Sequence, residues 1–112
     1  MSRTLSSSPA ADEEADLLAR YAGGDPAAAR LLTVRLTPPV FGHAYRMLGS
    51  QAEAEDVTQE ALIRLFRLAP DWRADEAKVT TWLYRVVANL CTDRLRKAAP
   101  APLDDLAEPP DP

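Results

Sequence analysis

Nowhere in this chain do apolar and polar residues alternate with period two, while several stretches repeat apolar residues every three to four positions. A strand that buries one face needs the first pattern and an amphipathic helix needs the second. The expected fold class is therefore all-α, a compact helical bundle of about four main helices with no internal repeat. Punctuation along the chain places them. A first helix runs from about Asp12 to Ala22, with acidic residues in its first turn where the helix dipole favours them, and Gly23-Gly24 stops it. Asp25-Pro26 restarts a helix, Asp as N-cap and Pro at the first helical position. Leu31, Leu32, Val34 and Leu36 follow as its apolar set. Pro38-Pro39 is expected to interrupt or kink this path near Thr37, since proline removes a backbone donor and crowds the preceding turn. The chain resumes through Phe41, Tyr45 and Leu48 to Gly49. Ser50-Gln51-Ala52-Glu53 reads as a capping box opening a helix that ends before Pro70. The last main helix runs from about Val79 to Ala98, limited by Pro100.

Charge distribution divides the 112 residues further. The formal charge is −4, yet residues 99–112 hold four acidic and no basic side chains, and residues 1–16 hold four acidic and one basic. Residues 17–98 keep 12 basic against 9 acidic, so the helical part is mildly basic and whole-chain charge is a poor guide to its surface. Residues 1–11 read as a disordered tail. Residues 99–112 hold five of the ten prolines and read as an acidic, Pro-rich linker. A linker leads somewhere, so the chain is expected to be a piece of a longer protein whose following domain is absent. Residues 12–98 form the one folded domain. A single Cys (Cys91) and a single His (His43) exclude a disulfide framework and a His/Cys metal cluster. Both are expected to be packed, the thiol buried. No apolar run reaches the roughly 20 residues of a membrane span, and no apolar leader opens the chain, which points to the cytoplasm.

Two helices carry the functional information. At 100° per residue, Ala54, Val57, Ala61, Leu65 and Leu68 share an arc of about 80°, the core face of the third helix. Asp56, Gln59 and Glu60 lie opposite, with Ile63 among them and Phe66 at the border. A charged exterior with one stray apolar residue is the plain reading, because scattered surface apolar residues are common. The sharper one is a docking face, an apolar anchor ringed by acidic and amide groups. In the last helix Val79, Leu83, Val86, Val87 and Leu90 form the core stripe. Trp82, Arg85, Asn89, Thr92 and Arg96 share a second arc of about 80°. Arg and Lys suit phosphate oxygens, Asn suits base edges, and Trp suits stacking on an unpaired base. Helix C-terminal charge placement alone accounts for Arg94, Arg96 and Lys97. It does not account for Arg85 and Asn89 beside Trp82. In the polar loop 70–78, Trp72 is expected to close the core, while Arg73 and Lys78 offer positive charge among Asp71, Asp75 and Glu76.

At this spacing the stretches EDVTQEALIRLFRLAPDWR (55–73) and TTWLYRVVANLCTDRLRK (80–97) resemble the second conserved region of bacterial RNA polymerase sigma factors, of the extracytoplasmic-function group. Upstream, LLARYAGGDPAAARLL (17–32) resembles that group's opening helices, and LDDLAEPPDP resembles its acidic linker. The resemblance implies a transcription initiation factor domain that docks on core RNA polymerase and recognises and melts the promoter minus-ten element through its non-template single strand. It implies that Asp56, Gln59, Glu60, Ile63 and Phe66 meet the clamp helices of the polymerase beta-prime subunit. It implies that the loop 73–81, with Arg73, Lys78, Thr80 and Thr81, captures a flipped-out base. Trp82, Arg85 and Asn89 would then read and melt the element, and Arg94, Arg96 and Lys97 would hold phosphates upstream. An anti-sigma factor is a further implied partner; a monomer is the default state, and no cofactor or metal is expected. Primary sigma factors place two adjacent aromatics where this chain has Thr81-Trp82, so one stacking wedge is missing and fewer mismatched promoters should be tolerated. No fourth-region helix-turn-helix lies within the 112 residues, so this chain is not expected to read the minus-thirty-five element.

Two rival readings remain beside this one. A helical protein-interaction module without DNA binding would use the same 56–66 face. An enzyme would have to rely on Glu55, Asp56 and Glu60, with no nucleophile motif and no phosphate-cradling glycine loop. No catalytic residue is expected.

Overall fold

A computed structural model describes residues 12–73 and 76–98. The expected N-terminal tail, the expected linker and two residues of the 70–78 loop lie outside the described residues. Among those described there are four α-helices and no strand: α1 (Glu13–Ala22), α2 (Pro26–Leu48), α3 (Gln51–Leu68) and α4 (Val79–Ala98), with a short 3-10 turn at Ala69–Asp71.

Local chemistry starts and stops these helices much as the sequence suggests. The Asp25 side chain accepts a hydrogen bond from the Ala27 amide, and Pro26 sits at the first position of α2. The Arg20 guanidinium pairs with Asp25 at 2.9 Å and holds its carboxyl below the usual carboxylate range, which pins the α1–α2 corner. Gly49 closes α2 in the left-handed region (φ 68°), its amide bonded to the Tyr45 carbonyl. A side chain there would be strained, so glycine is the fitting residue. The capping box forms only by half. Ser50 Oγ accepts from the Glu53 amide at 3.2 Å, but the Glu53 carboxylate turns to Arg94 of α4 at 2.8 Å. A charge-assisted bond to a guanidinium is stronger than one to a neutral amide.

The interruption offered for Pro38-Pro39 is corrected: α2 is a continuous helix of 23 residues with both prolines inside it. The buried residues show why tertiary packing wins. Ala28, Leu32, Leu36, Val40 and Ala44 recur every four positions straight through the proline pair and are all at or near zero exposure. Each step of four rotates this line by about 40° around the helix. The rotation suits α2's changing partners. Arg35 bonds to Glu13 and Glu14 of α1, whereas His43 packs on Tyr84 of α4 further along. Burial of that line on both sides of the prolines outweighs the loss of two backbone bonds. Leu31 and Val34, expected in the apolar set, are instead exposed.

The core joins Leu18 of α1 and the α2 line to Val57, Ala61 and Leu65 of α3 and to Val79, Leu83, Val87 and Cys91 of α4. Thr58 and Leu62 join the α3 face, and Leu68 is only half-buried. Thr58 is tolerated because its hydroxyl bonds to the Ala54 carbonyl at 2.7 Å. Cys91 occupies the α4 core stripe where Val86 and Leu90 are half-buried, and burial pushes its thiol up despite nearby Arg94. His43 is packed against Tyr84, and its Nε2 is buried without a hydrogen-bond partner.

Candidate nucleic-acid interface

The loop before α4 and the first two turns of that helix enclose a cleft of about 340 Å³. Its lining comes from Trp72, Arg73, Glu76 and Ala77 of the loop and from Trp82 and Arg85 of α4, with Leu68 and Asp71 completing it. Both tryptophans belong to it. Their rings meet edge to face with centroids 5.9 Å apart. Trp82 is half-buried and packs on the core, so it is a braced wall and not a free-standing ring. Trp72 packs on the core as expected, and its indole nitrogen is buried without a partner.

The outer face of α4 continues from this cleft. Thr81, Arg85, Asn89, Thr92, Arg96 and Lys97 are exposed, and Thr80 is half-buried. Buried Val79, Leu83, Val87 and Cys91 on the opposite stripe force that orientation for Thr81, Arg85, Asn89, Thr92 and Arg96, whereas Lys97 lies toward α3, lining a cleft with Glu60, Arg64 and Arg94. The positive side chains divide by environment. Arg85, Lys78 and Lys97 have no ion pair among the described residues. Arg73 pairs with Glu76 at 3.4 Å and Arg96 with Asp93 at 3.4 Å, both highly exposed and therefore easily exchanged for another anion. Arg94 differs. It reaches across to α3, bonding to Glu53 at 2.8 Å and lying 3.9 Å from Asp56. These carboxylates, Glu53 first, hold its guanidinium more firmly protonated than usual.

The opposing α3 face is also built. Asp56, Gln59 and Ile63 are exposed, and Glu60 is half-buried and paired with Arg64 at 3.0 Å. Phe66 is half-buried and lies on Tyr21 with ring centroids 5.0 Å apart, so it anchors α1 to α3 more than it faces outward. Sequence reasoning did not pair Glu53 with Arg94, nor place Trp72 in the same cleft as Trp82. The ten-residue spacing of the tryptophans across a turn was the only signal for the second, and only packing reveals the first.

With that geometry in view, comparison with known proteins is specific. The family description Sigma-70 region 2 matches residues 32–101. The chain belongs to that family, and its relatives include several ECF RNA polymerase sigma factors. It is 36% identical over 96 residues to the ECF RNA polymerase sigma factor SigM of Mycobacterium tuberculosis, covering 83% of this chain and 48% of the relative. It is 44% identical over 61 residues to SigW of Bacillus subtilis, covering 54% of this chain and 32% of the relative. The chain thus spans about half or less of the length of these curated relatives. Among solved structures it is similar to an engineered region 2 of sigmaE, determined by NMR in complex with GTAAAA. The TM-score is 0.65 and the identity 31%, covering 87% of this chain and 93% of that one. No helix among the described residues is long and apolar enough to cross a membrane.

Proposed function

We infer that this domain serves transcription initiation. It docks on core RNA polymerase through the exposed face of α3 and holds the non-template strand of the promoter minus-ten element on the cleft and outer face of α4. The observation that carries this reading is the likeness, over most of both chains, to an engineered region 2 of sigmaE in complex with GTAAAA. In this chain a cleft lined by both tryptophans lies beside exposed Arg85 and Asn89.

The physics limits what the domain does alone. Reading a base's pairing edge requires unstacking it, at a few kcal/mol, and a pocket must offset that. Stacking on an aromatic contributes about 1–3 kcal/mol per base. One cleft and one helix therefore trap an opened strand but do not open a duplex unaided. Docking of Asp56, Gln59, Glu60 and Ile63 on the beta-prime clamp helices supplies the remainder by fixing the domain against the DNA. Phe66 supports that face from behind. Arg96, Lys97 and Lys78 hold phosphates, with Arg73 exchanging Glu76 for one. A protein that inhibits the sigma factor would act by covering either face.

A fluorescence titration tests this directly, because both tryptophans line the cleft. The oligonucleotide GTAAAA should change the emission and bind more tightly than its duplex. Tight, sequence-blind duplex binding at physiological salt would overturn the reading. Asn89→Ala should lower promoter opening by roughly tenfold while leaving polymerase binding intact, since one bidentate base contact supplies about 1–3 kcal/mol of discrimination. Equal loss of both would indicate a folding defect.

Arg94 ties the two faces together. Its partners Glu53 and Asp56 occupy α3, and its guanidinium is thereby kept from phosphate in the free domain. Exposed pairs of this kind are weak, about 0.2–1 kcal/mol. Glu53→Gln should accordingly raise affinity for GTAAAA by about two- to threefold at low salt. The gain should vanish in an Arg94→Gln background.

A further inference from the structure

Asp12 occupies the N-cap position of α1, yet its side chain makes no bond to α1. Its backbone carbonyl accepts from the Asp16 amide, which starts α1. Its carboxylate instead accepts from the Val79 amide at 2.9 Å, 67 residues away, at the first residue of α4. One residue thus begins two helices, one with its backbone and one with its side chain. Asp12 lies upstream of the matched family region, residues 32–101.

The place where this bond lands matters. Val79 is fully buried. Ala77, two residues before it, lines the cleft from the loop side, and Trp82, three residues after it, lines it from the helix side. The Trp82 amide in turn bonds to the Lys78 carbonyl, closing the first turn of α4 between the two walls. The tether therefore fixes the joint about which one wall of the cleft would swing against the other. Without it a part-buried amide loses its acceptor, and the first turn of α4 is free to shift until water reaches it.

We propose that Asp12 is a positioning residue for the cleft, setting the distance between the loop wall and Trp82 by capping α4 from the start of α1. The part of this concerning DNA rests on the reading that the cleft takes an unstacked base. It makes α1 a component of the reading apparatus, acting from outside the matched family region.

Three variants of the full chain test it, each followed by intrinsic tryptophan emission, GTAAAA affinity and thermal unfolding. Asp12→Ala is expected to shift the emission and weaken GTAAAA binding about three- to tenfold. Asp12→Asn keeps an acceptor oxygen and should restore both to within about twofold of the wild type. Ser50→Ala removes a cap of similar kind from α3, remote in sequence from the cleft walls, and controls for general destabilisation. It should leave emission and affinity unchanged. The proposal fails if Asp12→Ala leaves the emission unaltered, if Asn does not restore it, or if Ser50→Ala produces the same change. The emission is read without oligonucleotide, so the positioning role is decided even if wild-type and Trp82→Ala chains bind GTAAAA alike. That last result would overturn the base-binding reading alone.

Discussion

Asp56→Arg is expected to abolish binding to core polymerase, by at least a hundredfold in a pull-down or titration, while the domain still folds. The side chain is 66% exposed, so reversing its charge disturbs no packing. At a docked face the effect is different. A carboxylate that meets a basic partner becomes desolvated, and a like charge placed there costs several kcal/mol. The reversal also sets a second guanidinium near Arg94, which loses a partner at 3.9 Å but keeps Glu53 at 2.8 Å. Helical circular dichroism should therefore be retained. Full retention of core-enzyme binding would remove α3 from the docking face. Loss of binding with loss of structure would show that the residue supports the fold and would equally contradict this assignment.

The second large effect falls on stability. Leu83→Ala should destabilise the domain by about 2–5 kcal/mol, the range for deleting a fully buried leucine side chain. Leu83 is wholly buried, one residue from half-buried Trp82 and two from exposed Arg85. Small domains have only about 5–15 kcal/mol in hand. A loss of about 3 kcal/mol should lower the thermal midpoint by more than ~10 °C in a domain of this size. Thr81→Ala, an exposed neighbour on the same turn, should change the midpoint by no more than about 2–4 °C, since surface substitutions stay within about 0.5 kcal/mol. Similar midpoints for the two variants would mean that α4 does not bury the stripe described above. The contrast separates the two faces of one helix: one holds the fold together, and the other is exposed and is the face proposed to hold a strand of DNA.

Much of this was legible in the residues. The four helices, their caps at Asp25 and Ser50, the stop at Gly49 and the outward stripe of Arg85 and Asn89 follow from local rules: capping chemistry, the left-handed glycine and a 3.6-residue period. The resemblance to sigma region 2 was carried by motifs in α3 and α4, and the family match extends over both. The helix runs uninterrupted through Pro38-Pro39 because a local rule meets a non-local term. Two lost backbone bonds cost less than abandoning a line of buried side chains that runs from Ala28 to Ala44. Phe66 lies at the border of the outward arc of α3, and the resemblance adds it to the docking face. Its contact with Tyr21 of α1 turns it inward.

What the sequence by itself determined is therefore where the helices start and stop, the Pro38-Pro39 stretch of α2 apart, and most of their inward and outward faces, because both depend on neighbours within a few residues along the chain. Only the tertiary structure decided which charges are available and how the cleft is held. Arg94 is as basic as Arg96 in sequence, yet one reaches across to α3 and the other pairs only within its own helix. Asp12 precedes α1 in sequence, yet its carboxylate caps α4. Side-chain pairings between residues 41 and 67 positions apart depend on how the helices cross, and that is set by packing of the whole core.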